Sequence, residues 1–131
     1  MRGIWLLAAV VFMLTQFGIS LAQDQAKPKK LNPYTGNLKA IEKGRKLYFY
    51  FGCSGCHGGE GGGRMPGASP LVDDKWNYGS DDETLFKLIN GEIPEQKMPA
   101  YTKEVITEDQ IWTVLTYVRT LSKGDLSRID W

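Results

Sequence analysis

The chain has one His and two Cys among its 131 residues. A structural zinc site normally takes four protein ligands, so those three side chains do not complete one. Lys plus Arg number 16 and Asp plus Glu 15, a net charge of +1. With neither sign dominant, there is no field to draw nucleic acid. No stretch alternates apolar and polar residues long enough to read as a strand, which points to an all-α domain. No internal repeat occurs. At 42% hydrophobic and 24% charged, the composition excludes a disordered chain, a collagen-like chain and a multi-span membrane protein. The length suits one domain rather than two. Glycine, by contrast, is plentiful. Eight of the 15 Gly fall between Gly52 and Gly67, alongside both Cys and the His.

Arg2 precedes an apolar run from Ile4 to Leu14, and the small residues of Ser20-Leu21-Ala22 follow. That pattern predicts a secretory signal peptide over residues 1–22, cleaved after Ala22. An uncleaved anchor is the alternative, because Ile4 to Ala22 approaches the roughly 20 residues that span a bilayer. Thr15, Gln16 and Ser20 weaken it. Cleavage leaves about 109 residues with 15 basic and 15 acidic side chains. The expected location is the periplasm, without membrane attachment. Residues 23–37 read as a linker, with charge in Lys27-Pro28-Lys29-Lys30 and turn residues in Asn32-Pro33-Tyr34-Thr35-Gly36. Residues 38–131 read as the folded domain.

Three helices are legible there. The first runs from Leu38 to Phe51, with Leu38, Ile41, Arg45 and Tyr48 at helical spacing. The second is expected to start at Ser80, with Glu83 completing a capping box. Leu85, Phe86, Leu88 and Ile89 give it an apolar face, and Gly91 ends it. The third is expected to start at Thr107 with Gln110 as reciprocal cap, to bury Ile111, Trp112, Leu115, Val118 and Leu121, and to close at Gly124. About 28 residues with little regular structure separate the first two. So long a loop is uncommon in a compact domain, so something besides protein core is expected to organise it.

Cys53-Ser54-Gly55-Cys56-His57 sits in that region. Its C-x-x-C-H spacing is the attachment signature of c-type haem. Two thiols at this spacing can form thioethers to the two vinyl groups, and the adjacent His can supply an axial nitrogen. The rivals are a thiol–disulfide pair, a structural disulfide and a metal site. A redox pair normally sits where a strand meets a helix, and no strand precedes Cys53. A bare disulfide leaves the glycine-rich loop unexplained.

One His leaves the other iron face open, to water or to a thioether. After cleavage the remaining Met are Met65 and Met98. Met98 is the better sixth ligand. It lies in Gln96-Lys97-Met98-Pro99-Ala100-Tyr101 between two helices, and Pro99 stiffens that loop. Met65 is only eight residues past His57 in a Gly-rich turn, badly placed to reach the opposite face.

Taken together, these residues resemble class I cytochromes c over nearly all of the chain after Ala22. The resemblance implies a class I cytochrome c fold, three to four helices around one haem c held by Cys53 and Cys56. It implies that His57 and Met98 ligate the iron. In that family a Pro carbonyl accepts the His Nδ1–H, and Pro70 in Ser69-Pro70-Leu71 matches it, with Pro66 as the substitute. A first-helix Gly packs on a last-helix aromatic, and Gly44 and Tyr117 match. Asn32-Pro33-Tyr34-Thr35-Gly36-Asn37, Trp76-Asn77-Tyr78-Gly79-Ser80 and the ending from Lys123 to Trp131 resemble exported cytochromes associated with quinoprotein (pyrroloquinoline quinone) methanol and alcohol dehydrogenases.

Arg64, Trp76 and Tyr78 are near enough in sequence to donate to the haem propionates, although Arg64 reads equally as an exposed loop charge. The Asp73-Asp74 and Asp81-Asp82-Glu83 clusters read as caps and solvated charge rather than a calcium site. The expectation is a monomeric one-electron carrier, not an enzyme. A periplasmic dehydrogenase would be its donor, and another cytochrome or a terminal oxidase its acceptor. A haem subunit of a stable dehydrogenase or oxidase complex and a haem-based sensor with an open iron site are the alternatives.

Overall fold

The structure is a computed structural model that describes residues 29–101 and 103–124. The expected signal peptide, residues 23–28 and the ending from Asp125 to Trp131 lie outside the described residues. Among the described residues there are four helices and no strand: α1 Leu38–Tyr50, α2 Cys53–His57, α3 Asp82–Asn90 and α4 Glu108–Leu121. None is long and apolar enough to cross a membrane.

Helix α4 is the axis of the core. It buries every residue from Ile111 to Val118, so it is enclosed on all sides rather than amphipathic. Its start follows the expectation: the Thr107 side chain accepts from the Gln110 amide, and Gln110 reciprocates to the Thr107 N–H. Helix α1 begins at Asn37, whose side chain accepts from the amides of Lys39 and Ala40. Its buried positions are Ala40, Gly44 and Tyr48, spaced by four and therefore on one face. That face lies across α4. A Cβ at Gly44 would stand 2.2 Å from the Thr113 carbonyl oxygen and 2.9 Å from Tyr117 Cβ. The Gly44–Tyr117 contact expected from the resemblance is therefore present, and the missing side chain lets the helices approach.

Two helix ends differ from expectation. The N-cap of α3 is Asp81, not Ser80: its carboxylate accepts from the Thr84 amide at 3.0 Å and the Thr84 hydroxyl at 2.8 Å. Glu83 does not complete a box; it pairs with Lys87 at 2.6 Å. Ser80 instead offers its carbonyl to Arg119. An Asp side chain outranks the residue before it because it can accept from two groups at once. Helix α4 stops at Leu121, with Ser122 extended. Gly124 lies past the end, against Asp73 and Asp74, where a Cβ would come within 2.7 Å of the Asp74 nitrogen.

The stretch read as linker is docked over its described part. Asn32 is buried; its Nδ2 donates to the Trp112 carbonyl and the Thr116 hydroxyl, both at 3.0 Å. Its backbone N–H donates to Asp82 at 2.9 Å. Asp82 is buried too and ion-paired with Arg119 at 2.7 Å. One polar knot thus joins the segment before α1 to α3 and α4. Polarity suggested solvent, but Asn32 and Asp82 found buried partners instead.

Candidate functional site

The chain leaves α1 through Gly52 and enters the short helix α2 at once. On one helical turn, Cys53 and Cys56 are three apart and His57 is adjacent, so all three project from a small arc. Cys53 packs beside the cluster of Tyr48, Leu71, Val114, Tyr117 and Val118. Burial at this position pushes an unattached thiol up to about 11. Cys53 and Cys56 are not joined to each other by a disulfide. The Cys56 Sγ lies 3.7 Å from Met65 Sδ.

The glycine-rich segment after α2 is more ordered than its composition suggested. The amides of Arg64 and Met65 both return to the Cys56 carbonyl, at 2.9 and 3.0 Å. The Gly63 amide returns to the His57 carbonyl at 2.7 Å. Gly61, at φ +75°, accepts from the Leu71 amide and fits against Leu121 and Leu71, where a side chain would crowd both. The loop therefore folds onto α2 through its own backbone.

The same folding fixes the imidazole. His57 Nδ1 is 2.8 Å from the Ser69 carbonyl oxygen. Pro70 was expected to supply that carbonyl; the acceptor is one residue earlier. The prolyl ring shapes the turn while the preceding peptide presents the oxygen. Asn77 Nδ2 donates to the Ser69 hydroxyl at 2.6 Å and steadies the same residue. With Nδ1 engaged as a donor, Nε2 is left to ligate.

Beyond the imidazole opens a cavity of about 410 Å³. Cys53, Cys56, His57, Met98 and Trp76 all line it, with aliphatic walls from α3 and α4. Pro70 and Tyr78 line it as well. Arg64 does not; it is an exposed loop residue, so the structure does not bring it to the site. Met65 and Pro66 reach the rim, and Met65 is exposed. Asp81 and Asp82 are engaged as cap and ion pair, and the described residues hold no acidic or His/Cys group of three suited to a metal ion.

One atom in the wall is unsatisfied. Trp76 Nε1 is buried and has no hydrogen-bond partner among the described residues. The ring is held by both core clusters and by Arg119, whose guanidinium lies 5.5 Å from the ring centre. A buried donor without an acceptor is costly, so a ligand oxygen reaching this atom would be welcome. A flat apolar group bearing carboxylates fits this donor set: two thiols, an imidazole, a thioether, aliphatic walls and an orphaned indole N–H.

Comparison with known proteins decides the family. The family described as "Cytochrome C oxidase, cbb3-type, subunit III" matches residues 39–118, more than half of the chain. The chain belongs to this cytochrome c family. Its cofactor is a covalently bound haem c, and its fold is the class I cytochrome c fold. The chain is similar to the cbb3-type cytochrome c oxidase subunit CcoP of Azospirillum brasilense, 35% identical over 100 residues, covering 72% of this chain. It spans about a third of that relative's length, 32%. Among solved structures it is similar to cytochrome cL from the marine methylotrophic bacterium Methylophaga aminisulfidivorans. That match has a TM-score of 0.66 and 28% identity, over 86% of this chain and 78% of the other. Cytochrome cL from Hyphomicrobium denitrificans matches with TM-score 0.66 and 28% identity, over 77% of this chain and 58% of the other.

Several residues of this cytochrome's site were not singled out from sequence. The Tyr101 hydroxyl donates to the Phe51 carbonyl at 2.9 Å, tying the Met98 loop to the end of α1. Burial raises its pKa. The Tyr48 hydroxyl donates to the Gly58 carbonyl at 2.7 Å, and burial raises its pKa strongly. Tyr78, singled out from sequence for the propionates, lines the cavity, and its hydroxyl accepts from the Lys97 amide at 3.0 Å. Aromatics at these positions read as core, and only their hydroxyls carry the extra role. The signal was the residue type, Tyr rather than Phe, in the segments flanking the two motifs.

Proposed function

We propose that this cytochrome is a monohaem one-electron carrier of the periplasm. It would receive electrons from a quinoprotein alcohol or methanol dehydrogenase and pass them to another cytochrome or a terminal oxidase. The observation that carries the reading is the convergence of Cys53, Cys56, His57 and Met98 on one apolar cavity. Haem supplies a ferric–ferrous couple there. Cys53 and Cys56 hold it through thioethers, and His57 and Met98 take the two axial positions. The Ser69 carbonyl keeps the imidazole in one tautomer and orientation. Trp76 Nε1 donates to a propionate. The aliphatic walls exclude water, and a His–Met pair under such walls favours a high potential suited to carriage rather than to ligand activation.

The donor class is supported by the likeness to cytochrome cL of a methylotrophic bacterium. Export is supported by the residue pattern up to Ala22. A second reading, a haem subunit held in an oxidase complex, is favoured by the likeness to CcoP. Purification at low protein concentration separates the two: a carrier elutes alone, and a subunit elutes with its complex.

The test of the ligand set is Met98→Ala in the haem-loaded protein. The expected result is loss of the far-red Met–iron band in the ferric form, a lower midpoint potential and rapid CO binding when reduced. An unchanged spectrum and potential would remove Met98 from the assignment. Intact mass of the exported protein, showing one added haem and no residues 1–22, tests attachment and cleavage together.

A further inference from the structure

Met98 sits in a loop, and a loop alone does not hold a thioether at a fixed distance from a metal. The structure shows what holds this one. The Gln96 side chain makes three hydrogen bonds. Its Oε1 accepts from the Ile93 amide at 3.2 Å. Its Nε2 donates to the Leu88 carbonyl at 2.9 Å and to the Met98 carbonyl at 2.8 Å. The amide orientation is dictated by these partners. Two carbonyls can only accept and the Ile93 N–H can only donate, so a flipped amide would lose all three bonds.

We propose that Gln96 is the positioning residue of the axial methionine. It clamps the Met98 backbone to the end of helix α3, so that the thioether cannot swing off the iron. The proposal rests on the reading of Met98 as sixth ligand. Helix α3 is a firm anchor. Asp81 caps its start, and Leu85 and Phe86 are buried in the core. Leu88 lies in its last turn, so the clamp reaches regular structure rather than another loop. The neighbouring ties act on other residues: Tyr78 holds the Lys97 amide, and the Tyr101 amide donates to the Ile89 carbonyl at 2.8 Å. Among the described residues, the bond from Gln96 is the one hydrogen bond made by the Met98 backbone. On the other side Pro99 has no N–H to offer.

Such a clamp shifts the balance between iron-bound and released Met98, and an external ligand reports that balance. Imidazole binds ferric iron only in the fraction of molecules whose methionine has left. In the haem-loaded protein, Gln96→Ala removes two donor bonds. It is expected to raise imidazole affinity about tenfold to thirtyfold, on the scale of about 1 kcal/mol per bond. The far-red Met–iron band should remain before imidazole is added. Gln96→Glu keeps an acceptor for Ile93 but has no donors when ionised, so it is expected to match the Ala variant. Thr107→Ala is the control for general loosening, because the cap bonds it removes run to Gln110 and not to Gln96 or Met98. It should lower thermal stability while leaving imidazole affinity within about twofold.

Wild-type affinity in Gln96→Ala, or full retention of it in Gln96→Glu, would overturn the clamp. So would an equal rise in Thr107→Ala, which would make the effect one of stability. Met98→Ala in the same series keeps the two claims apart. If its band survives, the ligand reading fails and the clamp falls with it. If its band is lost while Gln96→Ala behaves as wild type, the ligand reading stands and the clamp alone is wrong.

Discussion

Gly44→Ala sets two effects against each other, and the structure says which wins. In an ordinary helix interior the change stabilises, because Ala is favoured over Gly by about 1 kcal/mol. Here the new methyl would lie 2.2 Å from the Thr113 carbonyl oxygen and 2.9 Å from Tyr117 Cβ. Both are parts of α4 that no rotamer change can move. Relief requires α1 and α4 to part by about 1 Å, which loosens contacts along the whole crossing. Overpacking of this kind typically costs about 1–3 kcal/mol, and a backbone obstacle belongs at the upper end. Set against the propensity gain, the net is a destabilisation of about 2 kcal/mol. For a domain of this size that lowers Tm by roughly 10 °C. Thermal melts and guanidinium titrations of the haem-loaded protein, followed by circular dichroism, measure it. Adding Tyr117→Ala should not restore stability, because the Thr113 carbonyl remains. A Tm equal to or above wild type in Gly44→Ala would refute the reasoning, since it would mean that the helices do not approach this closely.

Arg119→Met leaves the Asp82 carboxylate buried without its cation and should cost about 3–5 kcal/mol in chemical denaturation. Adding Asp82→Asn should recover a large part of that loss, and two strictly additive losses would contradict the pairing. Acid should cost the wild type more stability than it costs Asp81→Asn. Burial alone would raise the Asp81 carboxyl, but bonds from the Thr84 hydroxyl and amide, with the charge of Lys29, outweigh it and hold it below its usual value. The stability it contributes is complete above the unfolded carboxyl pKa of about 3.9 and is lost as pH falls through the lower folded value. Asn keeps a capping oxygen without titrating, so urea midpoints of the two proteins should converge below about pH 4, and parallel curves would speak against it.

The chemistry of this site was legible because it depends on residue types at fixed short spacing. Cys53, Cys56 and His57 share one helical turn, so sequence order is nearly spatial order. Met98 was expected by elimination among few thioethers and by the Pro beside it, and it lines the cavity. Gly44 and Tyr117 followed from a family resemblance, not from periodicity. What escaped were backbone roles and long-range polar partners. The acceptor of His57 is a main-chain oxygen, which every residue has, so no side chain distinguishes Ser69 from Pro70. Arg64 was near in sequence but the turn carries it to the surface. Asn32, in a stretch that looked like linker, meets Trp112 and Thr116 on the last helix, and pairings across such separations leave no local trace. The α3 start was misread by one residue because Ser80 and Asp81 are both good caps, and only the position of Thr84 decides between them.

The crossing of α1 and α4 also bears on how the molecule is assembled. The two helices meet across the 57 residues from Phe51 to Thr107, and closing such a loop is entropically unfavourable before its contacts form. The cavity lies inside that loop. Its walls include Tyr48 of α1, the cysteines of α2, and Val114, Leu115 and Val118 of α4. A haem joined to Cys53 and Cys56 carries a wide apolar face on a tether, ready to collect α4 as soon as that helix exists. Attachment thereby shortens the search for the final contact. The covalent bond acts as a folding template as well as an anchor, and the chain without it must close the same circuit unaided.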